Sequence, residues 1–73
     1  MDYLDAAAQV LLGHRIAAVR RMTDAEMRDF MWHGEAPVLL VLDDGSLIVP
    51  TMDAEGNGPG RLFAFTERGE FTL

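Results

Sequence analysis

Residues 37–50, PVLLVLDDGSLIVP, decide the fold. Two apolar runs, residues 38–42 and 47–49, flank the dipeptide Asp44-Gly45. Asp-Gly between two apolar runs is typical of a β-hairpin, because both residues tolerate the positive φ that a tight hairpin turn requires. The sequence therefore predicts a hairpin with a type I′ turn, in which both central residues have positive φ.

Further strands are predicted on the carboxyl side of this hairpin. The first run of the hairpin is apolar without interruption, which indicates a central strand covered on both faces. Pro50 ends the second strand or places it at a sheet edge. Residues 61–66 alternate, and residues 70–73 form a short last strand after a turn at Arg68-Gly69. These patterns predict a small antiparallel meander, or a partly open SH3-like barrel of four to five strands.

Two short helices are predicted on the amino side. Asp2 can cap a helix over residues 3–12, which Gly13 ends. Thr23 and Glu26 have the T-x-x-E spacing of a capping box, and the second helix should run from there to Gly34. We expect its inward face to consist of Met27, Phe30 and Met31, with Met22 packing as a staple on Met27.

The segment between the two helices, residues 14–22, fits either a strand or a helix. A strand is favoured, because Gly13 and Thr23 punctuate both of its ends. The predicted fold class is therefore α+β, with two short helices, a small antiparallel sheet and a single domain over residues 1–73.

Composition excludes several classes of function. The chain has 73 residues, a net charge of −6, and neither cysteine nor lysine. Disulfides and thiolate metal sites are excluded, and an acidic surface disfavours nucleic acid and anionic membranes as partners. The amino-terminal stretch lacks the cationic start of a secretory signal and an apolar run of membrane-spanning length. We expect a cytoplasmic protein.

The glycine-rich loop of residues 53–60, DAEGNGPG, raises the question of a ligand site. Calcium loops of the EF-hand type place oxygen ligands at positions 1, 3 and 5, glycine at 6 and glutamate at 12. The first four requirements are met by Asp53, Glu55, Asn57 and Gly58. Position 12 is Ala64, and strands rather than helices are predicted on both sides. The loop also lacks the Lys and Ser/Thr of a phosphate loop, so a wide connection closed by Asx-type turns is favoured.

Other polar residues form no catalytic or metal-binding pattern. His14 and His33 lack the spacing of a zinc site, and Ser46 has no partner base marked by the sequence. Asp43 and Asp44 are adjacent, and on a strand they would face opposite ways. We expect no enzyme activity, no metal site and no cofactor.

The order of motifs resembles a small bacterial family of uncharacterised proteins. The pattern G-x-x-I-x-x-V is followed by MTDAEM, a tryptophan, DDGSLIVP and DAEGNGPGRLF, and it spans residues 13–63. Its most specific parts are the DDGSLIVP hairpin and the D-x-E-G-N segment. The resemblance implies the strand assignment above and carries no established activity.

A protein–protein interaction or accessory module is the function that the sequence favours. Candidate partner contacts are Trp32, Arg20 and Arg21, since Trp and Arg are frequent at interface hot spots. Burial in the core is the favoured alternative for Trp32, and the arginines would pair with the protein's own acids or with an acidic surface of a partner. Two other functions stay open: an ion- or small-ligand-binding module using residues 53–60, and a nucleic-acid-binding small barrel, which the acidic charge disfavours.

Self-association is expected from the central strand. Its residues divide between two faces, and two short helices can cover only one of them fully. The other face must close into a barrel or meet another molecule. A homodimer is the expected assembly, because twofold association is the commonest among soluble oligomers.

Overall fold

The computed structural model describes residues 3–72. Two short helices and five antiparallel strands form two small sheets, which confirms the predicted α+β class, and no closed barrel is present within that range. The elements in chain order are α1 Tyr3–Leu11, β1 Ile16–Arg21, α2 Asp24–Asp29, β2 Val38–Leu42, β3 Leu47–Ile48, β4 Phe63–Thr66 and β5 Gly69–Thr72. Asp2, the predicted cap of α1, lies outside the described residues.

The larger sheet has the order β1-β2-β3, so β2 is its central strand, as predicted, and the ambiguous segment of residues 14–22 contains a strand. A register shift in β1 between Ile16 and Ala18 bends the strand at its start. β4 and β5 form a separate hairpin and do not continue the meander. Thr51 and Pro59 form an isolated bridge that closes the intervening loop on itself.

The turn between β2 and β3 is not the predicted type I′ turn. Only Gly45 has positive φ, at 89°, and Asp44 does not. The Gly45 N–H donates to the Leu42 carbonyl at 3.0 Å, and the Leu42 N–H donates to the Ser46 carbonyl at 2.8 Å. This is a three-residue loop with a glycine bulge, a common hairpin alternative in which a single residue takes the left-handed conformation.

Helix α2 begins with the predicted capping box. Glu26 N–H donates to the Thr23 hydroxyl, and Thr23 N–H donates back to the Glu26 carboxylate. The helix ends earlier than predicted, well before Gly34. Met31 N–H donates to the Arg28 carbonyl and Trp32 N–H to the Met27 carbonyl, which is the Schellman arrangement.

Met31 occupies the left-handed position of this motif, with a φ of 60°. The turn carries Met31 away from the protein, so it is 80% exposed, and Phe30 is also exposed. The predicted inward face of α2 is therefore wrong at Phe30 and Met31. The turn instead brings Trp32 against Met27, as the hydrophobic contact of a Schellman motif requires.

The core lies on one face of the larger sheet. It consists of Met22, Met27, Trp32 and Leu39, with Ala36, Val41 and Val49 packed against it. Leu42 is also buried, but it lies outside this cluster, on the side of β2 that carries Leu40. Leu39 is completely buried. Directly paired residues of antiparallel strands share a face, so Leu39 and its partner Arg20 face α2 together. The core is covered by α2 and the Trp32 segment, whereas α1 contributes no buried residue.

Candidate interaction surface

The loop of residues 53–60 is closed by its own hydrogen bonds. Asp53 Oδ1 accepts the backbone N–H groups of Glu55 and Asn57, at 3.0 and 3.2 Å. The Asn57 side-chain amide donates to Asp53 Oδ2 at 2.9 Å and to Glu55 Oε2 at 3.3 Å. The Asn57 amide, with these backbone groups, holds the pKa of Asp53 below its usual value. A cation in this loop would need the carboxylates of Asp53 and Glu55 as ligands, and the Asn57 amide nitrogen already donates to both of them.

Trp32 fastens this loop to the core. Its indole N–H donates to the carbonyl of Gly56 at 2.9 Å, across 24 residues of sequence. Trp32 is only 5% exposed, so the structure places it in the core rather than among the surface residues that a partner could reach. Phe30 stacks on its ring with 4.7 Å between centroids and remains exposed. The D-x-E-G-N segment therefore supplies a hydrogen-bond partner for a buried indole.

The two candidate arginines are held by the protein's own acceptors. Arg20 donates through both terminal nitrogens to Glu26, at 2.8 and 3.0 Å. This pairing, together with the Thr23 N–H, lowers the pKa of Glu26 to about 2. Arg21 donates to the Ala36 carbonyl at 2.7 Å and to Glu35 at 3.3 Å, but its side chain stays largely exposed. The two side chains point to opposite faces of β1 and form no common patch.

A histidine–carboxylate cluster joins the start of β1 to the turn after β2. His14 Nδ1 donates to Asp43 at 2.7 Å, and its Nε2 lies 3.7 Å from Asp44. Asp43 also accepts the Arg15 N–H, and Asp44 accepts the Ser46 N–H. The hydrogen bond to Asp43 raises the pKa of His14, and the same bond lowers the pKa of Asp43.

Sequence reasoning assigned these aspartates to turn chemistry and rejected them as an acid/base pair, but it missed the cluster because nothing in the local pattern places His14 beside the turn. They lie in the turn, where both can contact His14. Among the histidine, aspartate and glutamate side chains of residues 3–72, this is the one group of three in which a ring nitrogen or carboxylate oxygen of each residue lies within 4.8 Å of those of the others. Each carboxylate already accepts a backbone N–H, so the cluster braces the turn.

The second face of the larger sheet carries an aliphatic row, which we define as Val19, Leu40 and Ile48. Leu40 pairs with Val19 on one side and with Ile48 on the other, so the three side chains cross the sheet on one face. Val19 is 62% exposed, and the other two are only half-buried. This face is the one opposite the core. The sequence predicts that a face left uncovered by the helices must close into a barrel or meet another molecule.

A second exposed apolar surface is the aromatic hairpin, which we define as β4 and β5. Phe63 and Phe65 lie on one side of it and are 65% and 75% exposed. Phe71 faces the other side, where it pairs with Ala64, and it is also exposed. An isolated two-stranded hairpin has marginal stability in water and needs a packing surface.

The total exposed area is large for the chain length. The protein exposes 5854 Å², whereas a compact chain of 8.1 kDa exposes about 4,500 Å². The Cα radius of gyration is 13.3 Å, against about 11 Å for a compact chain of this length. The difference in area exceeds the roughly 800 Å² that each partner buries in a standard protein interface.

A shallow cleft of about 170 Å³ lies between the Arg21 side chain and residues 35–38 on one side and 59–61 on the other. Small-molecule sites usually enclose about 300–1,000 Å³, so this cleft is below the usual size.

None of the helices within residues 3–72 has the length and apolar character needed to cross a lipid bilayer. No family model, curated protein or solved structure matches the chain.

Proposed function

We infer that this chain is a non-enzymatic protein–protein interaction module and that its first partner is a second copy of itself. The observation that carries this proposal is the exposed apolar area of the aliphatic row and the aromatic hairpin. Burying apolar surface contributes about 25 cal/mol per Å², so a partner that covers these side chains gains several kcal/mol before the cost of association.

Alternatives from the sequence receive less support. An ion site in residues 53–60 must displace the Asn57 amide from Asp53 and Glu55. Nucleic-acid binding needs free cations on one face, but Arg20 is paired with Glu26 and the chain is acidic. The cytoplasmic location and the accessory role stay predictions.

Thermal unfolding at two protein concentrations tests the proposal. When the native state is a dimer and the unfolded state is not, mass action makes the melting temperature rise with protein concentration. We expect a higher Tm at several hundred micromolar than at a few micromolar. A Tm that does not change over this range contradicts self-association.

A further inference from the structure

We propose that two copies of the chain associate by exchanging arms, with the aromatic hairpin of each copy packed on the aliphatic row of the other. This inference rests on the self-association proposed above and names the surfaces that carry it. It assigns an acceptor surface, Val19, Leu40 and Ile48, and a donor surface, Phe63 and Phe65.

The hairpin needs a cover that residues 3–72 do not provide. Phe63 and Phe65 are two residues apart on one strand and therefore project from the same side. Both remain mostly exposed in the folded chain, and β4–β5 hydrogen-bonds to no strand of the larger sheet. Within the described residues these two rings are left without a packing surface, and a second copy of the chain can supply one.

The larger sheet offers the complementary surface. The aliphatic row is uncharged and its three side chains are apolar, so it suits aromatic rings packed against it. Its neighbour on the same face is Arg21, which pairs with Val38, and the phenylalanine side of the hairpin carries Glu70, which pairs with Phe65. The donor surface thus brings a carboxylate. The acceptor surface brings a guanidinium that contacts Glu35 and the Ala36 carbonyl within its own chain and is still 61% exposed.

The second copy is favoured over an unrelated partner by area and symmetry. One arm on one row covers two largely exposed phenylalanines and the exposed parts of three aliphatic side chains. Two reciprocal contacts related by a twofold axis then bury roughly 1,000 Å² in total, near the small end of specific interfaces. Each copy uses both of its exposed surfaces, and the assembly closes at two. We expect micromolar affinity for an interface of this size.

Single-cysteine variants provide the test, because the native chain has no cysteine. Val19→Cys replaces an exposed side chain by one of similar size, and Thr72→Cys changes an exposed residue that pairs with Phe63 on the phenylalanine side of the hairpin. Neither change removes a phenylalanine, so each variant should keep the native circular dichroism spectrum and the donor surface. The two are mixed at equal, high-micromolar concentration and treated with a short bismaleimide. We expect at least tenfold more of the mixed product than of either self-linked product. Arg28→Cys, exposed on α2, is the control and should give no product with Thr72→Cys.

The other outcomes separate the two proposals. Self-linked Val19→Cys as the main product indicates sheet-to-sheet packing, and self-linked Thr72→Cys indicates hairpin-to-hairpin packing; either result overturns the arm exchange. If the native chain has the mass of a dimer but the cysteine variants give no cross-linked product, the arm exchange is overturned and self-association still stands. A monomeric native mass at the same concentration removes both proposals.

A matched pair of substitutions gives an independent readout. Phe65→Ser should weaken dimerisation at least tenfold in sedimentation experiments, because it removes a central ring of the donor surface. Glu67→Ser, in the turn of the same hairpin, should leave the dissociation constant within twofold. Equal dissociation constants for both variants and the native chain overturn the assignment of the donor surface.

Discussion

Replacing Gly45 with valine tests how the β2–β3 turn is specified. Gly45 has a φ of 89°, a region that residues with a Cβ rarely adopt. A Cβ built at this position meets no atom within 4 Å, so collision with neighbours adds nothing. The full cost arises from the backbone conformation, about 1–2 kcal/mol for a residue with a Cβ and towards the upper end for a β-branched one.

Thermal and urea unfolding measure this cost. A destabilisation of about 2 kcal/mol lowers the Tm of a chain this small by roughly 8–16 °C. Gly45→Asn is the matched control, because asparagine tolerates the left-handed region and should lose less than half as much. An unchanged Tm for the valine variant refutes the turn assignment. Equal losses for valine and asparagine refute the backbone explanation, since only the valine cost depends on β-branching.

Four further predictions follow from individual contacts. Met31→Gly should raise the free energy of unfolding by about 1 kcal/mol, because it relieves the left-handed φ of an exposed residue, whereas Met31→Ala should not; a loss of stability with glycine contradicts this. Trp32→Phe should cost about 1 kcal/mol or more in urea unfolding, since it deletes the indole donor to the loop; an unchanged midpoint argues against that hydrogen bond. Calorimetry with millimolar calcium should show little heat, and saturable binding that Asp53→Asn abolishes would overturn this view of the loop. The His14 pKa in an NMR titration should lie above its ordinary 6.5 and fall in Asp43→Asn; no change in that variant contradicts the turn brace.

The stability that the His14–Asp43 hydrogen bond contributes depends on pH, and the direction follows from the two pKa shifts. A histidine whose pKa is raised by folding stabilises the folded state fully below its unfolded pKa of 6.5, and this contribution is lost as the pH rises through the raised value. The partner Asp43 has a lowered pKa, so its contribution is present above 3.8 and is lost as the pH falls through the lowered value. The hydrogen bond between His14 and Asp43 therefore stabilises the folded state most between pH 3.8 and pH 6.5.

Local chemistry made much of the fold predictable. The capping box at Thr23 and Glu26 and the apolar run of β2 act within a few residues, so their sequence patterns indicate structure directly. The turn at Gly45 was located correctly but assigned the wrong type, because Asp-Gly fits both a two-residue and a three-residue loop. The end of α2 was missed, because a Schellman motif usually has glycine where this chain has Met31.

Contacts between distant residues could not be predicted. His14 meets Asp43 across 29 residues and Trp32 meets Gly56 across 24, and no local pattern marks either pairing. The sequence did indicate that one sheet face lacks cover. It gave no sign that the aromatic hairpin stands apart from the larger sheet, since alternating strands look the same whether or not they pair with it.

The mass of the native chain in solution tests the central claim most directly. Light scattering coupled to size exclusion should be measured over a hundredfold dilution that begins at high-micromolar concentration. Self-association predicts about 16 kDa, twice the chain mass of 8.1 kDa, at the concentrated end and a fall towards the monomer on dilution. A mass of 8.1 kDa at every concentration contradicts the claim that a second copy covers the aliphatic row and the aromatic hairpin.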